Sequence, residues 1–153
     1  DDSEQSPGWK FAQYEMKGVP LRLEIGPKDI EKGQCVLVRR TDREKLFVPL
    51  DQLEDAIQEQ LSLIRRQMYD KALARRESMT YEARTFDEMK DIAANKPGLV
   101  KAMWCGDEAC EQRIKDEAGL SSRCIPFEQE HLSDVCVCCG KPAKSMVYWG
   151  KAY

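Results

Sequence analysis

Between Pro7 and Gly18 the chain reads PGWKFAQYEMKG, with Phe11, Tyr14 and Met16 as its apolar positions. A glycine follows where a helix would stop, so a short helix is predicted. The period then changes to two. Val19, Leu21, Leu23 and Ile25 point one way and Arg22 and Glu24 the other, which predicts a half-buried strand. GPKDIEKG reads as a turn-rich connection, QCVLVRR as a second strand and KLFVPL as a third. From residue 51 to 77 the period becomes helical, with Leu53, Ile57, Leu61, Ile64 and Met68 on one face. Asp51 and Glu54 resemble a capping box. Acids at the start (Asp51, Glu54, Asp55, Glu59) and bases at the end (Lys71, Arg75, Arg76) complement the helix dipole.

ESMTYEAR breaks this pattern and predicts a boundary near residue 80, dividing a domain at 1–80 from one at 81–153. Thr85 followed by Glu88 marks a helix start, with Phe86, Met89 and Ile92 as its stripe, and NKPG ends it. LVKAMW is a short strand running into Cys105. DEACEQRIKDEAG is a helix stopped by Gly119, and RCIPF and SMVYWG are further strands. The expected fold class is an α/β domain followed by a small α+β domain.

Composition narrows the class. The 153 residues carry 42% hydrophobic and 33% charged side chains, a globular balance. No apolar run approaches the ~20 residues that span a bilayer. The start, DDSEQSPGWK, has neither the basic nor the apolar stretch of a secretory signal, so a cytoplasmic location is expected and no membrane partner. The net charge of −3 argues against indiscriminate binding of nucleic acid, DNA included. It conceals a local excess: residues 8–45 hold nine Lys/Arg against six Asp/Glu, a surplus of three positive charges. Such a surface can meet phosphates in an acidic protein.

Seven cysteines and a single histidine, His131, are the chemically informative counts. Cys105 and Cys110 form C-x4-C, and Cys136 and Cys139 form C-x2-C. Two close pairs separated by a loop are how four thiolates reach one tetrahedral Zn²⁺. Gly106 and Gly140 follow a cysteine in each pair and permit a tight turn round a metal. A redox pair is the competing reading, but it favours a helix N-terminus, and Gly140 and Pro142 indicate a loop. Scattered unligated thiols are the bland alternative. A four-thiolate site is closed, so zinc here would stabilise a small domain rather than catalyse. Cys35 and Cys124 read as small buried hydrophobes. Cys138, as a C-x-C partner of Cys136, leaves a second ligand choice open.

PGWKFAQYEMKGVPLRLEIGPKDIEKGQCVLVRR resembles the anticodon-binding domain of prolyl-tRNA synthetases of the eukaryote/archaeon-like class II type. CGDEAC, SSRCIPFE, CVCCGKPAK and the ending VYWGKAY resemble the zinc-binding C-terminal domain of the same type. The resemblance runs over nearly the whole chain. It implies an α/β domain with a mixed sheet, truncated at its start, joined to a zinc domain. It also implies a parent proline–tRNA ligase, a homodimer that attaches proline to tRNA(Pro) in two ATP-dependent steps. Its catalytic domain would bind ATP and Mg²⁺, and nothing here resembles that domain, so this stretch alone is expected to be inactive.

Mapped by motif, the family's anticodon contacts fall on Glu15, Arg22, Lys28, Asp29 and Lys45, and its zinc ligands on Cys105, Cys110, Cys136 and Cys139. A carboxylate can accept from guanine N1–H and N2–H₂, and Arg or Lys can donate to O6, N7 or phosphate. The terminal Tyr153 matches a C-terminus thought to fold towards the catalytic domain. Trp9, Phe11 and Trp104 are read as core in preference to stacking platforms. A non-enzymatic zinc-ribbon module that binds a protein is the alternative function, and a dithiol redox protein a third.

Overall fold

The computed structural model describes residues 1–152, so Tyr153 and its expected role lie outside the described residues. The chain divides into two units, Asp1–Ala72 and the remainder from Leu73 onward, a division ahead of the break expected near residue 80.

In the first unit, Ser6 accepts a hydrogen bond from the Trp9 amide, and Pro7 opens α1 (Pro7–Met16). Val19 N–H closes that helix by bonding the Tyr14 carbonyl at 3.0 Å. β1 (Leu21–Glu24) follows, shorter than the predicted strand. The expected turn at GPKDIEKG contains a short helix, α2 (Pro27–Glu31), because the Asp29 carboxylate accepts the Gly26 amide at 3.0 Å. β2 (Gln34–Arg39) and β3 (Lys45–Pro49) complete a sheet of order β1-β2-β3. Every pairing in it is antiparallel, so the strands present here show none of the parallel pairing of the mixed sheet that the resemblance implies.

Register assigns the faces of this sheet. Leu21 opposes Arg39, Leu23 opposes Leu37, and Leu37 opposes Leu46. Of this face, Leu21, Leu37 and Leu46 with Cys35 and Val48 pack on Leu53, Ala56 and Ile57 of α3 (Leu53–Ser78), whereas Leu23 is exposed. Arg22, Val38 and Lys45 form one rung of the opposite face, and Glu24, Val36 and Phe47 the next. Met68, expected within the buried stripe of α3, is half exposed, and Leu61 is also exposed. Gln60 is buried in their stead because the Arg39 guanidinium donates to it at 2.6 Å. A 3-10 turn, Leu50–Gln52, replaces the capping start expected at Asp51.

The second unit holds β4 (Thr80–Glu82), α4 (Phe86–Asn95), β5 (Leu99–Trp104), α5 (Glu108–Ala118), β6 (Leu120–Cys124) and β7 (Ser145–Lys151). Its sheet runs β4-β5-β7-β6, with β4 parallel to β5 and the other pairs antiparallel. β4 lies where only a break was predicted. Thr85 and Glu88 form the expected capping box of α4. Trp149, Met89, Ile114, Leu120, Val100 and Val147 build the core. Cys124 is exposed, against the expectation of burial, because it ends an edge strand whose register shifts between Ser122 and Cys124. No helix among the described residues is long and apolar enough to cross a membrane.

Candidate functional site

Two constellations stand out, one in each unit. In the first, β1 presents Arg22 to α1. The Phe11 ring lies 3.8 Å from the guanidinium carbon. The Glu24 carboxylate accepts from Arg22 Nε at 2.8 Å, and Glu15 accepts from its Nη1 at 3.3 Å. Arg43 reaches the other Glu15 oxygen at 3.4 Å, and Lys45 Nζ lies 3.8 Å from Glu24. Three cations and two carboxylates thus alternate over one sheet face. Arg22 is held on three sides, yet of its five N–H donors these contacts leave some free for a ligand.

Of the five residues mapped to anticodon contacts, the structure brings Glu15, Arg22 and Lys45 together. Lys28 and Asp29 stand apart on α2, and no ion pair or hydrogen bond among the described residues joins them to the cluster. Asp29 is engaged locally, by the Gly26 amide and by Gln34 Nε2 at 3.4 Å. Sequence reasoning missed Glu24 and Arg43. The alternation that put Glu24 beside Arg22 was a signal for the first, whereas Arg43 depends on a hairpin that nothing local specifies. Trp9 is half exposed, Phe11 serves as the bed of Arg22, and Trp104 packs edge-on against Trp149 at 6.3 Å.

In the second unit, β5 delivers Cys105 and the first turn of α5 carries Cys110, with Asp107 as N-cap. The loop 134–144 brings Cys136 and Cys139. It is folded on itself by Cys136 N–H to Lys141 O at 2.8 Å and Gly140 N–H to Cys136 O at 3.0 Å. Val137 N–H and Lys144 N–H then bond the Met103 and Trp104 carbonyls and dock the loop on β5. Gly140, at φ 72°, takes the left-handed turn that this fold-back needs. The four sulphurs lie within 4.8 Å of one another. Cys105 is 3.7 Å from Cys110 and 3.8 Å from Cys139.

Those separations decide what the site fits. Four sulphurs about 2.3 Å from a tetrahedral ion stand about 3.8 Å apart, whereas a disulfide needs about 2.05 Å. Burial pushes the Cys105 and Cys110 thiols up, so a cation among them is what would favour thiolates there. The Lys141 amide, bonded to the Cys139 sulphur, lowers that thiol to about 7. Cys105, Cys110, Cys136 and Cys139 can hold a metal ion. Cys138 is outside this group; burial pushes its thiol up, and its carbonyl accepts from Arg113.

Known families match a segment in each of the two units. Residues 1–60 match the anticodon binding domain, and residues 86–153 match the prolyl-tRNA synthetase C-terminal domain. The two matches lie side by side along this chain and together span most of its length. The chain is 61% identical over 153 residues to a proline–tRNA ligase of Clostridium novyi, 60% to that of Lachnospira eligens and 61% to proline–tRNA ligase 2 of Bacillus cereus. All of this chain is aligned in each case, and it spans 32% of each relative's length. The matched domains are those of anticodon binding and of the C-terminus.

Proposed function

We propose that the first unit reads the anticodon loop of tRNA(Pro) and that the second is held by a structural Zn²⁺, as the C-terminal part of a cytoplasmic proline–tRNA ligase. The parent would join proline to tRNA with ATP and Mg²⁺ on a catalytic domain outside this chain, as a homodimer with that domain as neighbour. The observation that carries the reading is the Glu15–Arg22–Glu24–Lys45 cluster, half-buried at Glu15, Arg22 and Glu24 and open at Lys45, within the anticodon-binding match. Glu15 would accept from a guanine Watson–Crick edge, and Arg22 and Lys45 would donate to O6, N7 or phosphate. Lys28 and Asp29 would contact the loop from α2. Cys105, Cys110, Cys136 and Cys139 would ligate the zinc, which supplies cross-linking and no chemistry.

The test is an anticodon stem-loop carrying GG at its last two positions, titrated against the full chain. Glu15→Ala and Arg22→Ala should each weaken binding by about 1–3 kcal/mol. Replacing the two guanines by adenines should weaken the wild-type protein similarly and the Glu15→Ala protein much less. Equal affinity of the wild type for both loops would refute base recognition.

A further inference from the structure

Phe47 is the one large aromatic side chain on β3, and 62% of its surface is exposed. Register sets it on the same face as the charged cluster. Phe47 opposes Val36, which opposes Glu24, and the adjacent rung is Lys45–Val38–Arg22. The Lys45–Glu24 pair at 3.8 Å runs diagonally between the two rungs, so Phe47 stands on the side where those head groups lie. Val36 and Val38 between them are buried. The face therefore has an apolar floor, cations along one rung and a free aromatic ring at the end of the next.

We propose that Phe47 is a stacking platform for a nucleobase of the single-stranded loop next to the bases that Glu15 and Arg22 contact. The inference deepens the anticodon reading and rests on it. Three observations favour RNA over a protein partner. Every base has a π-face, so an exposed ring beside cations gives stacking and backbone attraction together. Neighbouring Lys45 is 59% exposed and free to turn to a phosphate. The two rings of α1 beside this face are already engaged: Phe11 lies under Arg22 and cannot take a base without displacing it, and Lys17 sits 5.1 Å from the Tyr14 ring. Phe47 and Arg22 stand two strands and one rung apart, about 12 Å across the sheet. An unstacked loop crosses that distance in about two nucleotides.

The test uses the full chain with Phe47→Ala, Phe47→Leu and Phe47→Trp, and the GG stem-loop with 2-aminopurine replacing each loop base in turn. Thermal unfolding should barely change, because the side chain is exposed. Phe47→Ala and Phe47→Leu should each weaken binding about tenfold or more, with Phe47→Trp close to wild type. One 2-aminopurine position should be quenched on binding wild type and not on binding Phe47→Leu. Leucine separates stacking from mere apolar contact. If Phe47→Ala and Phe47→Leu bind as wild type while Glu15→Ala is impaired, the platform is refuted, and the exposed ring belongs to a protein contact. If the guanine swap has no effect while the Phe47 variants still weaken binding and lose the quench, the platform stands and base reading by Glu15 fails.

Discussion

Arg39 is the most deeply buried charged side chain in the first unit, at 7% exposure, and it is fully engaged. Its guanidinium donates to Asp42, Glu44 and Gln60, spanning the β2–β3 hairpin and α3. A buried charge persists only when paired and hydrogen-bonded in this way. The Arg39 guanidinium, with the Glu44 amide and Gln67, holds Asp42 at about 2, below its ordinary 3.8. The sign follows: a carboxyl lowered by folding stabilises the fold above its ordinary value, and that contribution is lost as pH falls towards about 2. Carboxyl titration followed by NMR should therefore show the hairpin loosening below about pH 4. Asp42→Asn should flatten that acid dependence while removing stability near neutral pH. Arg43, in contrast, is 78% exposed and holds Glu15 only by a surface pair, so its release to a ligand costs little.

At the scale of elements, the second unit depends on one close approach. Gly98 has φ 133°, and a Cβ there would lie 2.0 Å from the Met79 carbonyl oxygen. That same oxygen accepts the Leu99 amide at 2.9 Å and so registers the start of β5 against the residue that precedes β4. Gly119, at φ 66°, ends α5 with nothing within 4 Å of the place a Cβ would take. Gly98→Ala should cost about 3 kcal/mol or more in chemical denaturation, since strain and a backbone clash add. Gly119→Ala should cost about 1 kcal/mol, the left-handed penalty alone. Equal losses would show that the clash at Met79 is relieved by a small shift. At the start of α4, three amides that no helical carbonyl reaches are met by two side chains: the Glu88 carboxylate accepts from the Arg84 and Thr85 amides, and the Thr85 hydroxyl accepts from the Glu88 amide.

Over the whole molecule, each unit has its own core. Cys35, Leu37 and Val48 form one, and the cluster around Trp149 with Cys105, Cys110, Cys136 and Cys138 the other, while Cys139 is exposed. Stability should therefore separate. Chelation of zinc, or Cys136→Ser, should release the metal and lower hydrogen-exchange protection along β5, α5 and β7, while β2 of the first unit keeps its protection. Cys138→Ser should leave metal content at one per chain, read by native mass spectrometry. Retained stoichiometric zinc in Cys136→Ser would point to another ligand set. The two units also divide the proposed work, with RNA contact at one and a closed cross-link at the other.

Most local structure was legible in the chain, because period-two and helical patterns, caps and stop signals act within a few residues. These signals placed β1 to β3, α3, the Thr85–Glu88 box and β5 close to where they form. The C-x4-C and C-x2-C spacings singled out four thiols. Tertiary structure alone decided which thiols converge, since a one-residue choice between Cys138 and Cys139 depends on how the 134–144 loop folds back on β5. It likewise decided that α2 forms at GPKDIEKG and that Gln60 is buried in place of Met68. It brought Glu15, Arg22, Glu24, Arg43 and Lys45 onto one face, with Phe47 beside them. Such placements are set by strand register and by the pairing of buried charge. Both are relations between residues distant in the chain, and no local pattern encodes them.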